Sequence, residues 1–362
     1  MAAIKDAFSP ALVAALAGEL ERAWPGLDAP ALVADASDGL EVLELKARML
    51  HVTAALDRHL PADLDELEGV VRGALRSPGF DGWMTVPVGY LVAERGIDAP
   101  DVALPLLAAL TGRFSSEWSV RPFIARHPEE AFAWFGRWTA DPDEHVRRLA
   151  SEGCRPRLPW ATRVPALIRD PAPVLGVLDR LVDDPSEYVR RSVANNLNDI
   201  SKDHPGLALE TAARWRGAGG AGAAWVVRHG LRTLATAGDA AALSLLGYDA
   251  SAAVALEGMS VSPSAPAIGE RALITARLRA DAPTPVVVHY LVHHAGANGM
   301  RGPRPFLMAR RTLEAGEEVE LRRRHTFAQR SVRRLYPGRH RVEIQVNGRV
   351  LGGVDVELRE PT

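Results

Sequence analysis

Three segments of this 362-residue chain each contain a carboxylate or an indole side chain that could contact a ligand. Glu117 precedes an aromatic residue and an Arg-Pro pair, Trp160 follows two prolines, and Asp199 lies near the predicted end of a helix. Because a helix C-terminus disfavours an anion, a carboxylate kept there is a candidate functional group. Two carboxylates can stabilise a sugar cation and activate water, and an indole can add a cation–π contact.

Each of these side chains also has a purely structural interpretation. Glu117 could cap a turn, and Trp160 could pack over a helix end in its stiff loop. Asp199 could cap a loop or pair with Lys202. The residue types alone leave both interpretations open.

Composition narrows the class of protein. The chain is 47% hydrophobic and 24% charged, which is typical of a globular protein. Its single cysteine, Cys154, excludes an intramolecular disulfide framework and a cysteine-rich zinc site. No apolar run is long enough to predict a transmembrane helix, and no secretory signal is recognisable, so a cytoplasmic location without membrane contact is predicted. No Gly-rich phosphate loop and no helical His-Glu-x-x-His motif occurs, so phosphate-loop and zinc-hydrolase chemistries are poorly supported.

The net charge of -2 hides an uneven distribution. Residues 1–109 hold 8 basic and 17 acidic side chains, whereas residues 110–235 hold 18 basic and 15 acidic ones. Residues 255–362 hold 17 basic and 11 acidic ones. Two positive segments are compatible with a polyanionic partner, since phosphate binding needs local cations rather than a basic protein. The alternative is that these cations only solvate helix faces.

The elements that must position these residues fall into two kinds. Up to about residue 247, apolar residues recur at spacings of three and four residues, which predicts helices. From about residue 258 the pattern alternates and predicts strands at residues 272–278, 286–292, 319–323 and 341–346. Asn347-Gly348 between two such segments predicts a two-residue hairpin turn. The chain is therefore expected to be multidomain, with an α-helical part followed by a small β-sandwich.

An internal repeat lies in the helical part. Residues 141–148 recur 43 positions later as residues 184–191, and a weaker echo occurs at residues 225–228. This spacing matches HEAT repeats and predicts a HEAT-like α-solenoid.

The repeated segment also predicts local structure. In each copy an Asp is expected at the N-cap, a Pro at the first helical position and a Glu that closes a capping box. In the second copy Val189, Val193 and Leu197 should line the buried face.

The amino-acid sequences of these segments resemble those of a known family. "SSEWSVRPFI", "RRLASEGCRPRLPWA" and "VRRSVANNLNDISKDHP" resemble the AlkC branch of the HEAT-like alkylpurine DNA glycosylases. "VVVHYLVHHAGANG" and "YPGRHRVEIQVNG" resemble the immunoglobulin-like domain that some AlkC proteins carry. The resemblance implies a HEAT-like helical-repeat domain over residues 1–250 and an immunoglobulin-like β-sandwich domain over residues 258–362. It is weakest over residues 1–75.

The resemblance also implies an activity. Family members excise N3-alkylated bases, chiefly 3-methyladenine and also 3-methylcytosine, from duplex DNA during base excision repair, without flipping the lesion into a pocket. By motif position, the catalytic residues are Glu117, Trp160 and Asp199. A cationic base needs little protonation to leave, so no cofactor is implied. The expected partner is double-stranded DNA with alkylated bases, and the expected state is a monomer.

The cations of the helical part are the predicted phosphate contacts. Successive Arg pairs on second helices would form a positive track. The predicted DNA-binding residues are Arg121, Arg147, Arg148, Arg155, Arg157, Arg190, Arg191, Lys202 and Arg228. The alternative is that these arginines form ion pairs between repeats, and the alternative function is a non-catalytic HEAT and immunoglobulin-like scaffold that binds DNA or protein.

Overall fold

A computed structural model describes residues 4–296, 299–329 and 334–361 of the chain. The chain divides into two compact units, one of residues 1–204 with 215–230 and the other of residues 205–214 with 231–362. Within the described residues, no helix is long and apolar enough to cross a membrane.

The helical part matches the sequence prediction up to its last helix, which ends at Leu245. In the described part of the chain, three short 3₁₀ helices span Ile4–Ala7, Leu40–Val42 and Gly82–Met84. The α-helices of the described residues are α1 (Pro10–Ala23), α2 (Ala29–Ser37), α3 (Leu45–His59), α4 (Leu64–Ala74), α5 (Thr85–Arg95), α6 (Pro100–Thr111), α7 (Arg121–Arg126), α8 (Pro128–Trp138), α9 (Glu144–Gly153), α10 (Pro165–Arg169), α11 (Ala172–Leu181), α12 (Glu187–Ile200), α13 (Pro205–Ala218), α14 (Ala221–Gly230), α15 (Arg232–Ala237) and α16 (Ala240–Leu245).

The repeated segment starts its helix two residues later than predicted. Asp143 caps α9 by accepting the amide hydrogen of His145, and α12 begins after Ser186. The Asp at the start of each copy instead closes a turn before the helix, because its side chain accepts the amide hydrogen two residues on. The prediction of an N-cap at Asp141 and Asp184 was therefore wrong. A residue before proline is biased away from helical conformation, which delays the helix.

The predicted capping boxes are also absent from both copies. Glu144 accepts a hydrogen bond from the hydroxyl of Ser186 in the next repeat, and Glu187 pairs with Arg191 at 2.6 Å. These acids join neighbouring repeats or neighbouring turns rather than the start of their own helix.

The buried face of α12 is as predicted. Val189, Val193 and Leu197 are fully buried, and α12 packs against α9 and α14. Gly230, the last residue of α14, lies at its contact with α12, where a Cβ on residue 230 would come within 2.8 Å of Leu197. This packing fixes the end of α12, where Asp199 lies.

The described residues of the strand-rich part form two main antiparallel sheets. One has the order β1-β2-β7 and the other β6-β3-β8-β9, and a small third sheet pairs β4 with β5. The strands are β1 (Val254–Ser262), β2 (Arg271–Ala280), β3 (Thr284–His293), β4 (Ala295–Gly296), β5 (Gly299–Met300), β6 (Arg304–Leu313), β7 (Glu318–Thr326), β8 (Gly338–Val346) and β9 (Arg349–Leu358). All four predicted strands are confirmed. Residues such as Ile274, Val288 and Ile344 form one apolar core. The domain boundaries 1–250 and 258–362 stay predictions.

The predicted hairpin turn is confirmed. Asn347 and Gly348 have φ values of +45° and +81°, and Val346 pairs with Arg349. Positive φ at both positions is the signature of the turn that fits a twisted two-strand ribbon.

Candidate active site

A pocket of about 310 Å³ in the helical unit brings together two of the three predicted catalytic residues, Glu117 and Trp160. Its walls come from the 3₁₀ helix Gly82–Met84, the start of α5, the loop before α7, helix α9 and the loop after α9. The lining residues are Trp83, Val86, Phe114, Ser115, Glu117, Trp118, Arg148, Glu152, Leu158, Pro159 and Trp160.

Glu117 is held at the pocket wall by one serine and one arginine. Ser115 Oγ donates to Glu117 Oε2 at 2.5 Å, and Arg148 Nη1 lies 2.5 Å from the same oxygen. The Glu117 side chain is 17% exposed, so it is ordered by its partners and still open to the pocket.

Arg148 connects Glu117 to a second acid. Its Nη1 also donates to Ser115 Oγ at 2.8 Å, and its Nη2 lies 3.5 Å from Glu152 Oε1. Burial lowers the pKa of Arg148, but the charges of Glu152 and Glu117 outweigh that effect and raise it above its usual value. Arg148 therefore stays cationic inside the pocket.

Glu152 is a pocket acid that the sequence prediction missed. It lies one turn after Arg148 on α9, and its Oε2 accepts a hydrogen bond from Ser192 at 2.6 Å. Its Oε1 lies 2.7 Å from Arg155 Nη1. The four-residue spacing from Arg148, which places both on one helix face, was the available signal.

Asp199 is joined to this pocket through Arg155 and does not line it. The carboxylate is almost fully buried, and its Oδ2 accepts from Arg155 Nε at 2.9 Å while Nη2 lies 2.9 Å away. Its Oδ1 pairs with Lys202 at 3.0 Å. These pairs offset the unfavourable position of an anion at the last turn of α12.

Trp160 forms the exposed rim of the pocket. Its side chain is 65% exposed, and its ring meets the ring of Trp118 edge to face at 6.4 Å. Its φ of +62° is unusual for a residue with a large side chain and marks a backbone held by its surroundings.

Arg121 holds the loop that carries Trp160. Its guanidinium donates to the backbone carbonyls of Gly153, Arg155 and Thr162, each at 2.9 Å. Burial lowers the pKa of Arg121 to about 10. The guanidinium N–H groups of Arg121 thus bind both ends of the loop. The phosphate contact predicted for Arg121 stays a prediction.

The other predicted DNA-binding cations occupy two environments. Arg147 forms a bidentate pair with Asp184 of the next repeat at 2.7 and 3.1 Å, as the inter-repeat alternative proposed. Arg190 instead donates to the backbone carbonyls of Asp184 and Pro185 in its own repeat. The more accessible cations are Arg157, which pairs with Asp203, together with Arg191, Lys202 and Arg228.

The chain matches known proteins over its whole length. The family model described as "Uncharacterised protein YhaZ, C-terminal Ig-like domain" matches residues 255–360. "Uncharacterized protein YhaZ" of Bacillus subtilis is 33% identical over 99% of this chain and 100% of its own length. The solved structure of Pseudomonas fluorescens alkylpurine DNA glycosylase AlkC bound to DNA containing an abasic site analog is 34% identical, with a TM-score of 0.91, and covers 99% of this chain and 100% of AlkC. The chain therefore belongs to the family of AlkC and YhaZ, with an AlkC-like α-solenoid followed by an immunoglobulin-like β domain.

Proposed function

We propose that this chain is a DNA glycosylase of base excision repair. It hydrolyses the N-glycosidic bond of cationic alkylated bases, chiefly 3-methyladenine and also 3-methylcytosine, in duplex DNA. The observation that carries the proposal is the pocket that joins Glu117, Glu152 and Trp160 in a chain with the fold of DNA-bound AlkC.

The chemistry follows from the charge of the leaving group. An N3-alkylated base already carries a positive charge, so it departs without a general acid, and no cofactor is part of the proposal. The deoxyribose becomes an oxocarbenium-like cation, which fixed carboxylates stabilise electrostatically. Water then adds to C1′ and loses a proton to a carboxylate of the site or to solvent, which completes the hydrolysis. Glu117 meets this need because it is ordered by Ser115 and Arg148 and open to the pocket.

The remaining site residues take complementary roles in the proposal. Trp160 offers an exposed ring face to the cationic nucleotide, a contact worth roughly 0.5–2 kcal/mol. Asp199 acts on the reaction through Arg155, which also holds Glu152. The exposed position of Trp160 supports a lesion that stays at the duplex surface instead of being flipped into an enclosed site.

Double-stranded DNA is the proposed partner, bound by a monomer in the cytoplasm. The accessible cations Arg157, Arg191, Lys202 and Arg228 are the phosphate contacts that the geometry supports best. Each phosphate contact that is lost should lower the salt dependence of binding by about one unit of slope.

The test is base release from methylated duplex DNA, with the products identified by chromatography. Wild-type protein should release 3-methyladenine and 3-methylcytosine. Glu117→Gln and Asp199→Asn should slow release at unchanged DNA affinity, whereas Glu68→Gln, which removes a surface ion pair on α4, should not. Unfolding midpoints show whether each variant is folded.

Two results would contradict the proposal. Absence of any base release by the wild-type protein would favour the non-catalytic scaffold. Near-wild-type rates in both Glu117→Gln and Asp199→Asn would remove the catalytic role of Glu117 and the role of Asp199 through Arg155.

A further inference from the structure

An aromatic side chain outside the pocket covers the arginine that organises its acids. Tyr188 lies in the first turn of α12, and its side chain is 42% exposed. The guanidinium carbon of Arg148 lies 5.2 Å from the centre of the Tyr188 ring. Tyr188 does not line the pocket, and its ring also meets the ring of His145 edge to face at 5.6 Å, so Arg148 is its described contact with the pocket wall.

The guanidinium of Arg148 is shared between two carboxylates. Nη1 serves Glu117 and Ser115, and Nη2 faces Glu152 at the longer distance of 3.5 Å. A guanidinium prefers to place two parallel donors on one carboxylate. The observed division therefore needs something that restrains rotation of the guanidinium plane.

The Tyr188 ring is the group placed to do this. An aromatic face attracts a guanidinium and blocks its motion toward that side, most strongly where water is partly excluded. Only 15% of the Arg148 side chain is exposed, so the contact is largely shielded from water. The ring face supplies the restraint, and the hydroxyl group of Tyr188 is not required for it.

The internal repeat offers a comparison, because it contains an arginine at the equivalent position in a different environment. Arg191 is the counterpart of Arg148 in the next repeat, 43 residues later. It is 60% exposed and pairs with Glu187 on its own helix. Arg148 is instead buried against Tyr188 and directed to acids of two different elements.

We propose that Tyr188 is a positioning residue that holds Arg148 between Glu117 and Glu152 and thereby fixes the two pocket acids for the reaction. This inference rests on the proposed glycosylase function. It predicts a loss in the chemical step and not in DNA binding, because the contact of Tyr188 is with Arg148, which holds the pocket acids.

The test compares Tyr188→Leu with Tyr188→Phe in the full-length protein. Single-turnover release of 3-methyladenine gives the rate, and binding to duplex DNA with an abasic-site analogue gives the affinity. Tyr188→Leu should lower the rate by roughly tenfold, the size expected for a shielded cation–π contact, with affinity within about twofold of wild type. Tyr188→Phe keeps the ring and should retain the wild-type rate.

Trp225→Leu is the matched control. Trp225 is an aromatic residue on α14, in the echo of the repeat, and its ring stacks on His229. Its removal should leave the rate within about twofold, in line with a surface substitution away from the site.

The outcomes separate this inference from the proposed function. A wild-type protein that releases no base overturns both. Release by wild type with an unchanged rate in Tyr188→Leu, or an equal loss in Tyr188→Phe, overturns the positioning role alone. A loss of DNA affinity that accounts for the whole effect also overturns it.

Discussion

Replacing Arg121 by Met should destabilise the fold and leave the electrostatic part of DNA binding unchanged. Arg121 is 4% exposed and donates to three backbone carbonyls at both ends of the loop that carries Trp160. The sequence predicted a phosphate contact for this residue. The two roles give opposite results in a stability measurement and in a salt titration.

The expected loss of stability follows from two opposing effects. Three carbonyl oxygens would lose their donor, at about 2 kcal/mol each for buried groups, or about 6 kcal/mol in all. Burial lowers the pKa of Arg121 to about 10, which corresponds to a charge penalty of about 3 kcal/mol that the uncharged side chain avoids. The net expectation is a decrease of about 3 kcal/mol in the free energy of unfolding.

Urea denaturation and fluorescence anisotropy measure the two quantities. The slope of log Kd against log salt concentration should match that of wild type, and trypsin should cleave the loosened loop faster after Arg157, which precedes Leu158. Arg126→Met, an exposed arginine of the same helix that faces Asp98, is the control and should change stability by less than about 0.5 kcal/mol. Unchanged stability with a salt slope reduced by about one would refute the reasoning.

Three further substitutions test other parts of the structure. Arg147→Gln breaks a shielded bidentate pair with Asp184 and should lower the free energy of unfolding by roughly 3–5 kcal/mol in urea denaturation, with little effect on DNA affinity. Asn347→Ala removes hydrogen bonds to the backbone of Val287, Pro285 and Asp249, and should cost about 3 kcal/mol in the same assay. Burial lowers the pKa of His289 to about 4 from 6.5, so this side chain does not affect the pH dependence above pH 6.5, and stability decreases as the pH falls from 6.5 toward 4 because only the unfolded state takes up the proton. His289→Phe should reduce the acid-induced loss seen by circular dichroism.

The fold was predictable where it depends on local pattern. Alternating apolar residues and the Asn347-Gly348 turn identified the strands, because their periodicity and backbone needs are local. The spacing of Val189, Val193 and Leu197 identified a buried helix face for the same reason. Neither prediction required knowledge of how elements that are distant in the sequence pack together.

The environment of the cations was not predictable in the same way. Arg148 and Arg191 occupy equivalent positions in the repeat, yet Arg148 is largely buried and pairs with Glu117, whereas Arg191 is exposed. The difference arises because Ser115 and Glu117, in the loop before α7, contact Arg148, whereas Arg191 pairs with Glu187 of its own helix. Burial of Arg121 depends likewise on a loop more than thirty residues away in the sequence.

The alternation of charge across the site bears on how the proposed reaction is accelerated. Three acids and three cations are linked in one series of contacts, in the order Glu117, Arg148, Glu152, Arg155, Asp199 and Lys202. Before reaction the positive charge of the substrate lies on the base, and Glu117 is already neutralised by Arg148.

As the bond to the base breaks, the charge moves to the sugar, and acids fixed beside the sugar gain attraction only then. Catalysis requires this difference, since an acid that bound the charged base equally well before and after would not raise the rate. Because each inner acid lies between two cations, removing one member leaves a neighbour unpaired. The effects of Glu152 and Asp199 substitutions should therefore not add in a double-mutant cycle through Arg155; strict additivity would mean that the series is only a set of separate ion pairs.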